Sequence, residues 1–364
     1  MKVMTILGTR PEMIRLSLII QKLDQFASKH ILVHTGQNHT ASLTDIFFEQ
    51  LGIRKPDVHL QLPHHSIGAQ LGTMFAQLEA VLQKERPDRV LVLGDTNSAL
   101  STILVERLGV PVYHMEAGNR CYDLRVPEEK NRKIIDVVST WNLPYTKKSR
   151  ENLLAEGFPK RRIFLCGNPI YEVLHHHEKS IDKSDVLTRL NLSRQAYFVA
   201  TLHRAENVDD QKRLRSILEG FKQLGKKYGM PVICSLHPRT RSKLQGDEWN
   251  DAWSSHIQFH EPFGLFDFVH LQKHAFCVLT DSGTVQEESC LFRVPAVTVR
   301  ESSERPETVE CGSNVVCGTE TDAIVQAVQV MVQQPRTWTI PEGYEDPHVS
   351  DKVVKFILGG KERV

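Results

Sequence analysis

Short apolar runs, each followed by apolar residues at helical spacing, recur along the whole sequence and limit its fold more than any other feature. In the first half the runs are Val3–Leu7, Ile31–His34, Val90–Leu93, Pro111–Met115 and Trp141–Thr146. In the second half they are Tyr197–Leu202, Val232–Leu236, Cys277–Thr280 and Ala296–Val299. Between them, sets such as Ile14, Leu16, Ile19, Ile20 and Leu23, or Leu214, Ile217, Leu218, Phe221 and Leu224, follow the period of an amphipathic helix. Such alternation builds parallel sheets, because a parallel pair needs a crossover long enough to hold a helix. The runs are predominantly apolar, as expected of strands covered on both faces. A chain of 364 residues exceeds one ordinary core. The reading is an α/β protein of two Rossmann-like, doubly wound domains, residues 1–168 and 169–349. The boundary is drawn within the charged and polar stretch Gly167–Asn191. A last helix runs from about Ser350, taken as its N-cap, to Leu358, within residues 350–364.

Composition excludes several functions. Lys and Arg total 45 against 44 Asp and Glu, so charge draws the chain neither to nucleic acid nor to a membrane surface. No apolar run approaches the ~20 residues that span a bilayer. The apolar start Met1–Leu7 is cut off too early by Gly8-Thr9-Arg10-Pro11-Glu12 for a signal core. The seven cysteines are scattered without CxxC spacing, which fits a reducing, cytoplasmic setting and no zinc site. The cluster His175-His176-His177 lies among polar residues and reads as a solvated loop, so no metal is expected there or elsewhere.

The chemistry-bearing residues fall where the apolar runs stop. Val90–Leu93 ends in Gly94-Asp95-Thr96, and the run ending at Met115 leads into Glu116-Ala117-Gly118. Ligands of open parallel α/β sheets sit outside the carboxyl ends of the strands, so Asp95 and Glu116 are placed where chemistry usually occurs. Glu128 and Glu129 follow after a short loop and can reach the same pocket. Carboxylates crowded together have their pKa values pushed apart, giving one acid and one base. Read as structure alone, Asp95 would cap a helix at Asn97 and Glu116 would pair with Arg120. After the first run, Gly8-Thr9-Arg10-Pro11-Glu12 opens a helix; its backbone N–H groups and the Arg10 fork suit an anion. In the second half, His203-Arg204, His237-Pro238-Arg239 and Asp281-Ser282-Gly283-Thr284 close three runs. Ser282, Gly283 and Thr284 stand at a strand-to-helix junction suited to a phosphate oxygen, and Glu288 is placed to take both hydroxyls of a ribose. The structural alternatives are a Ser282 or Thr284 cap with glutamates on the dipole, and a hydrogen-bonded structural His203. Carboxylates in one half and phosphate donors in the other suggest a nucleotide-sugar cleft between the domains.

The ordered set Gly8-Thr9-Arg10-Pro11-Glu12, Gly94-Asp95-Thr96, Glu116-Ala117-Gly118, Pro127-Glu128-Glu129 with Asn131-Arg132, His203-Arg204, Asp281-Ser282-Gly283 with Gln286-Glu287-Glu288, and Glu304-Arg305-Pro306-Glu307 spans nearly the whole chain. In it the sequence resembles the non-hydrolysing UDP-N-acetylglucosamine 2-epimerase family. The resemblance implies a GT-B fold with the active site between two domains and a C-terminal helix returning to the first. It implies interconversion of UDP-N-acetylglucosamine and UDP-N-acetylmannosamine for cell-surface polysaccharide precursors. UDP is eliminated to leave 2-acetamidoglucal, a 1,2-ene, and is re-added with C2 inverted. The implied catalytic residues are Asp95, Glu116 and Glu128, which fall on the family's catalytic carboxylates, and His203, which falls on its phosphate side. Arg10, His203, Arg204, His237, Phe268 beside the uracil, Ser282, Gly283, Thr284, Glu288 on the ribose and Arg305 are the implied UDP-sugar contacts. A homodimer is implied, and no cofactor.

The residue types suit that chemistry. A C2–H beside an acetamido group is a poor acid. Departure of the diphosphate, stabilised by Arg10, Ser282 and helix dipoles, leaves the anomeric carbon cationic and the C2 proton removable. One carboxylate takes that proton and another group returns one to the opposite face. The sequence departs from the common pattern at Gly118-Asn119-Arg120-Cys121-Tyr122-Asp123, at Thr35-Gly36-Gln37-Asn38-His39 and at Arg15, where lysine is usual. These departures resemble the subgroup acting on modified UDP-sugars, such as the N-acetylfucosamine precursor or diacetamido uronic acids. A GT-B glycosyltransferase, a hydrolysing 2-epimerase and a nucleotide-sugar binding module are the other readings; the number of strand-end carboxylates counts against the first and last.

Overall fold

A computed structural model describes residues 1–37, 41–63, 66–236, 238–244 and 256–360, without the side chains of residues 41–45, 238 and 239. It divides into two compact units, Met1–His176 with Glu342–Val364, and His177–Pro341.

The first unit is built on a six-stranded parallel sheet. Its strands are β1 (Lys2–Leu7), β2 (Lys29–His34), β3 (Val58–His59), β4 (Arg89–Leu93), β5 (Val112–Met115) and β6 (Trp141–Leu143). Their order is β3-β2-β1-β4-β5-β6. The central strands are apolar because helices cover both faces; Met4, Ile6, Val90, Val92 and Val112 share one core with Met74, Leu78 and Leu82 of the helix Ile67–Glu85. The helix Val349–Gly359 belongs to this unit. Phe356 stacks on Phe164 at 4.1 Å and meets Trp141 edge-on at 4.9 Å. Lys22 and Asp351 pair at 2.5 Å. The helix is capped by His348 rather than Ser350, whose backbone N–H instead donates to Glu172 at 2.8 Å.

The second unit repeats the plan with β7 (Phe198–Leu202), β8 (Val232–Leu236), β9 (Ile257–His260), β10 (Cys277–Thr280), β11 (Ala296–Thr298) and β12 (Asn314–Val316), in the order β12-β11-β10-β7-β8-β9. Phe198, Ala200, Cys234, Cys277 and Leu279 pack on Leu214, Ile217, Phe221 and Leu224 of the helix Gln211–Tyr228. Both sheets have the doubly wound order in which the fourth strand lies beside the first, making a switch point where loops diverge. The expected pair of doubly wound parallel sheets is therefore present.

The histidine cluster departs from the expected loop. His175 and His176 close the helix Ile170–His176, where Tyr171 and His175, one turn apart, stack at 6.0 Å. No helix among the described residues is long and apolar enough to cross a membrane.

Candidate active site

In the first unit the sequence-selected residues gather at the carboxyl ends of β1, β4 and β5. β1 pairs with β4 and β4 with β5, so Gly8-Thr9-Arg10 and Asp95 flank the switch point and Glu116 lies one strand further on. Gly8 must be glycine, since a Cβ there would stand 2.1 Å from Thr35 Oγ1 and 2.2 Å from Ser98 Oγ. The buried Glu12 closes this turn. Its Oε2 accepts from the N–H groups of Gly8 at 2.9 Å and Thr9 at 2.7 Å, and its Oε1 accepts from Thr96 Oγ1 at 2.9 Å. Burial outweighs these bonds and raises its pKa to about 7. Arg10 is half-buried over the Phe47 ring at 5.7 Å, and burial lowers its pKa. Among the described residues it pairs with no carboxylate, which leaves its fork available to an anion.

Asp95 and Glu116 share one cation. Arg132, almost wholly buried, reaches the Asp95 carboxylate with Nη2, which also lies 3.6 Å from Glu116 Oε1. Arg15 holds the other Glu116 oxygen at 3.3 Å and lies over Tyr145. Glu116 itself adopts φ +65°, a left-handed conformation that costs a non-glycine residue about 1–3 kcal/mol and recurs at functional sites. The helix Pro127–Val138 is docked on this cluster, with Asn131 Nδ2 donating to the Asp95 carbonyl at 3.0 Å. Glu128 precedes Arg132 by four residues, so both occupy one face of that helix. Glu129 is fully buried and accepts from the Cys121 N–H at 2.9 Å, making it a support for the loop rather than a reacting group.

The expected structural pair of Glu116 with Arg120 does not form. Arg120 contacts Asp136 at 2.7 Å and Glu156 at 2.7 Å. Asp136 also accepts from the Gly118 N–H at 3.1 Å and lies 2.9 Å from His114 Nδ1, while His114 Nε2 meets the Gly94 carbonyl at 2.8 Å. One buried chain thus ties together the two glycine turns that carry Asp95 and Glu116. Nor does Asp95 serve as a helix cap at Asn97, its carboxylate being directed to Arg132.

In the second unit the selected residues meet at the ends of β7 and β10, which are neighbours. Asp281, fully buried, is the centre. Its Oδ2 accepts from the N–H groups of His203 and Arg204, both at 2.9 Å, and its Oδ1 lies 2.7 Å from His203 Nδ1. Burial alone would raise its pKa; the His203 charge and these bonds outweigh it and hold the carboxyl down at about 2. A folded pKa below the unfolded ~3.9 means stability that is present above pH ~4 and lost as pH falls through about 2, worth roughly 2 kcal/mol. Asp281→Asn should flatten that part of the acid-unfolding curve followed by circular dichroism. Superimposable curves for the two proteins between pH 4 and 2 would refute this account.

Ser282 is the N-cap of the helix Gly283–Leu291 and makes no side-chain capping bond. The structural alternative is thus met in position, with Ser282 at the N-cap, but without the side-chain bond of a cap. Gly283 lies close to Glu304: a Cβ there would stand 2.9 Å from Glu304 Oε1, so the carboxylate would have to shift. Thr284 is half-buried in the first turn, and Glu288 is buried further along. Arg204 pairs with Glu304 at 3.0 Å, and Arg305 with Glu287 at 2.6 Å. Glu304 also holds Arg300 at 2.8 Å, so it fixes two arginines beside the helix start. Phe268 lies half-buried in the helix Leu265–Lys273, against the core around Val199 and Ile233. His237 falls outside the described residues. No cluster of three or more metal-ligating side chains occurs among the described residues.

A profile of the UDP-N-acetylglucosamine 2-epimerase family matches residues 21–358. The chain belongs to this family. A UDP-N-acetylglucosamine 2-epimerase of Methanocaldococcus jannaschii is 39% identical over 99% of this chain and 100% of its own. The crystal structure of a Methanocaldococcus jannaschii UDP-GlcNAc 2-epimerase with UDP-GlcNAc and UDP superposes with a TM-score of 0.94 at 38% identity, covering 99% of this chain and 100% of that one. A UDP-2,3-diacetamido-2,3-dideoxy-D-glucuronate 2-epimerase of Pseudomonas aeruginosa is 38% identical over 90% of this chain and 92% of its own. The family resemblance read from the motifs and the GT-B class of the fold are borne out. Within the 2-epimerase motifs, reading by strand ends passed over Arg132 and Asp281 as working parts. The signal for Arg132 was its four-residue spacing from Glu128.

Proposed function

We propose that this chain interconverts UDP-N-acetylglucosamine and UDP-N-acetylmannosamine by eliminating and re-adding UDP through 2-acetamidoglucal, as a cytoplasmic homodimer. The observation that carries this reading is the clustering of Asp95 and Glu116 on Arg132, with Glu128 on the same helix face. A binding module for a diphosphate gains nothing from three carboxylates, whereas proton removal and return at C2 needs an acid and a base. Arg10, His203, Arg204, Ser282, Gly283 and Thr284 are assigned to the diphosphate, Glu288 to the ribose, and Phe268 to the uracil. His237 and Arg305 are assigned to the UDP-sugar as well. Departure of UDP leaves positive charge at C1, and the Asp95–Glu116–Glu128 group stabilises it while one member takes the C2 proton.

The reaction in heavy water tests this. Purified protein given UDP-N-acetylglucosamine should yield both epimers with deuterium at C2, read by proton NMR. Epimers without deuterium at C2 would remove the elimination mechanism, and release of free sugar would indicate the hydrolysing reaction. A second substrate reading has a specific observation behind it, since the Pseudomonas aeruginosa diacetamido-glucuronate epimerase is 38% identical over 90% of this chain, beside 39% over 99% for the Methanocaldococcus jannaschii relative. The same experiment with UDP-2,3-diacetamido-2,3-dideoxy-D-glucuronate decides between them by relative kcat/KM.

A further inference from the structure

None of the seven cysteines is joined in a disulfide, and two of them face each other. Cys290 Sγ and Cys311 Sγ lie 3.8 Å apart in the second unit. Cys290 is buried near the end of the helix Gly283–Leu291, and Cys311 is half-buried directly after the helix Pro306–Glu310. Cys311 Sγ is also 3.3 Å from Ser313 Oγ and 3.4 Å from the Thr308 carbonyl. Hydrogen bonding from the Cys290 thiol lowers the Cys311 pKa below the ordinary thiol range, which raises its thiolate fraction at neutral pH. The other thiols differ. Burial pushes Cys234, Cys277 and Cys317 up to about 12, and Cys166 donates only to backbone carbonyls.

We propose that Cys290 and Cys311 form an oxidation site, which a peroxide converts to a disulfide. A disulfide has sulfurs ~2.05 Å apart, so each Sγ has to move by roughly 1 Å. Gly312, next to Cys311, has φ +85° and open space where a side chain would stand, which gives the backbone room for that movement. The Cys311 thiolate attacks a peroxide oxygen, the O–O bond breaks and hydroxide leaves; sulfur is oxidised and peroxide reduced. The Cys290 thiol then attacks the Cys311 sulfur, giving up its proton as the S–O bond breaks and water leaves. In sum, two thiols and one hydrogen peroxide become one disulfide and two waters. The bond ties the helix that starts at Ser282 to the segment that follows Glu304 and Arg305. The inference does not rest on the epimerase reading.

The test uses the whole protein and hydrogen peroxide at one equivalent, followed by iodoacetamide in denaturant and peptide mass spectrometry. The expected product is a Cys290–Cys311 cross-linked peptide pair, two hydrogens lighter than the separate peptides. It should be cleaved by dithiothreitol and absent from Cys311→Ser, with Cys121 and Cys317 still alkylated. Recovery of Cys290 and Cys311 both alkylated while another cysteine is oxidised would overturn the proposal. So would a cross-link through Cys277 or Cys317, or a Cys311 sulfenic acid that persists for dimedone trapping beside a free Cys290.

Discussion

Asp95→Asn, Glu116→Gln and Glu128→Gln are each expected to lower kcat by at least ~100-fold, the usual worth of one general acid or base, while UDP binding is kept. The expectation rests on where the groups lie. All three belong to the first unit, whereas most residues assigned to UDP belong to the second. An amide keeps the shape and the accepting oxygen of each side chain, so the supporting bonds from Arg132 and Arg15 persist in part. What the amide cannot do is take or return a proton. Removing a negative charge near a diphosphate also relieves repulsion, so affinity for UDP should hold or rise. Glu288→Gln should show the opposite order, with UDP affinity falling before kcat, because its assigned partner is the ribose. Calorimetric titration with UDP, set beside turnover measured by NMR, separates the two patterns. Loss of UDP affinity together with activity in the three carboxylate variants would make them structural supports, and their catalytic assignment would be withdrawn.

The central strands were legible in the sequence because burial on both faces leaves an uninterrupted apolar run; Val90–Leu93 and Cys277–Thr280 are such runs, and both are strands. The edge strands β3, β9 and β12 were not legible. Val58–His59 has two residues, and Ile257–His260 alternates apolar with polar residues because one side pairs and much of the rest faces outward. Glu116 was legible as a strand-end carboxylate, but its ion-pair partner was not. Sequence proximity favoured Arg120, four residues away, whereas left-handed backbone at Glu116 directs its carboxylate to Arg15 and Arg132 instead. Long-range pairing of this kind depends on how a helix docks, and composition carries no trace of it. Asp281 shows the same limit. It read as part of a phosphate turn, yet its buried carboxylate accepts from the His203 and Arg204 N–H groups and organises that neighbouring strand end instead.

Arg132→Met is expected to have the second large effect, through charge rather than through contact with the reacting carbon. Arg132 is a positioning residue: a single buried guanidinium between Asp95 and Glu116, with Nη1 also donating to the Asn119 carbonyl at 3.3 Å. Methionine preserves much of the stem and removes the cation. Two carboxylates then face each other without the cation they shared, while Arg15 still holds the Glu116 side. Removing one partner from a buried ion pair costs about 3–5 kcal/mol, so urea unfolding should shift to a lower midpoint. The functional consequence has a definite sign. Without the shared cation the charged form of each carboxylate is disfavoured, its pKa rises, and the base becomes available only at higher pH. The acid limb of the kcat/KM profile should therefore move to higher pH in Arg132→Met, and Arg132→Lys should return it part of the way because it restores charge without the two-pronged geometry. A purely structural role predicts something different: lower stability and lower activity at every pH, with the limb unmoved. An acid limb that coincides with that of the unaltered protein, in a variant still folded at the assay temperature, would show that Arg132 does not set the ionisation of Asp95 and Glu116.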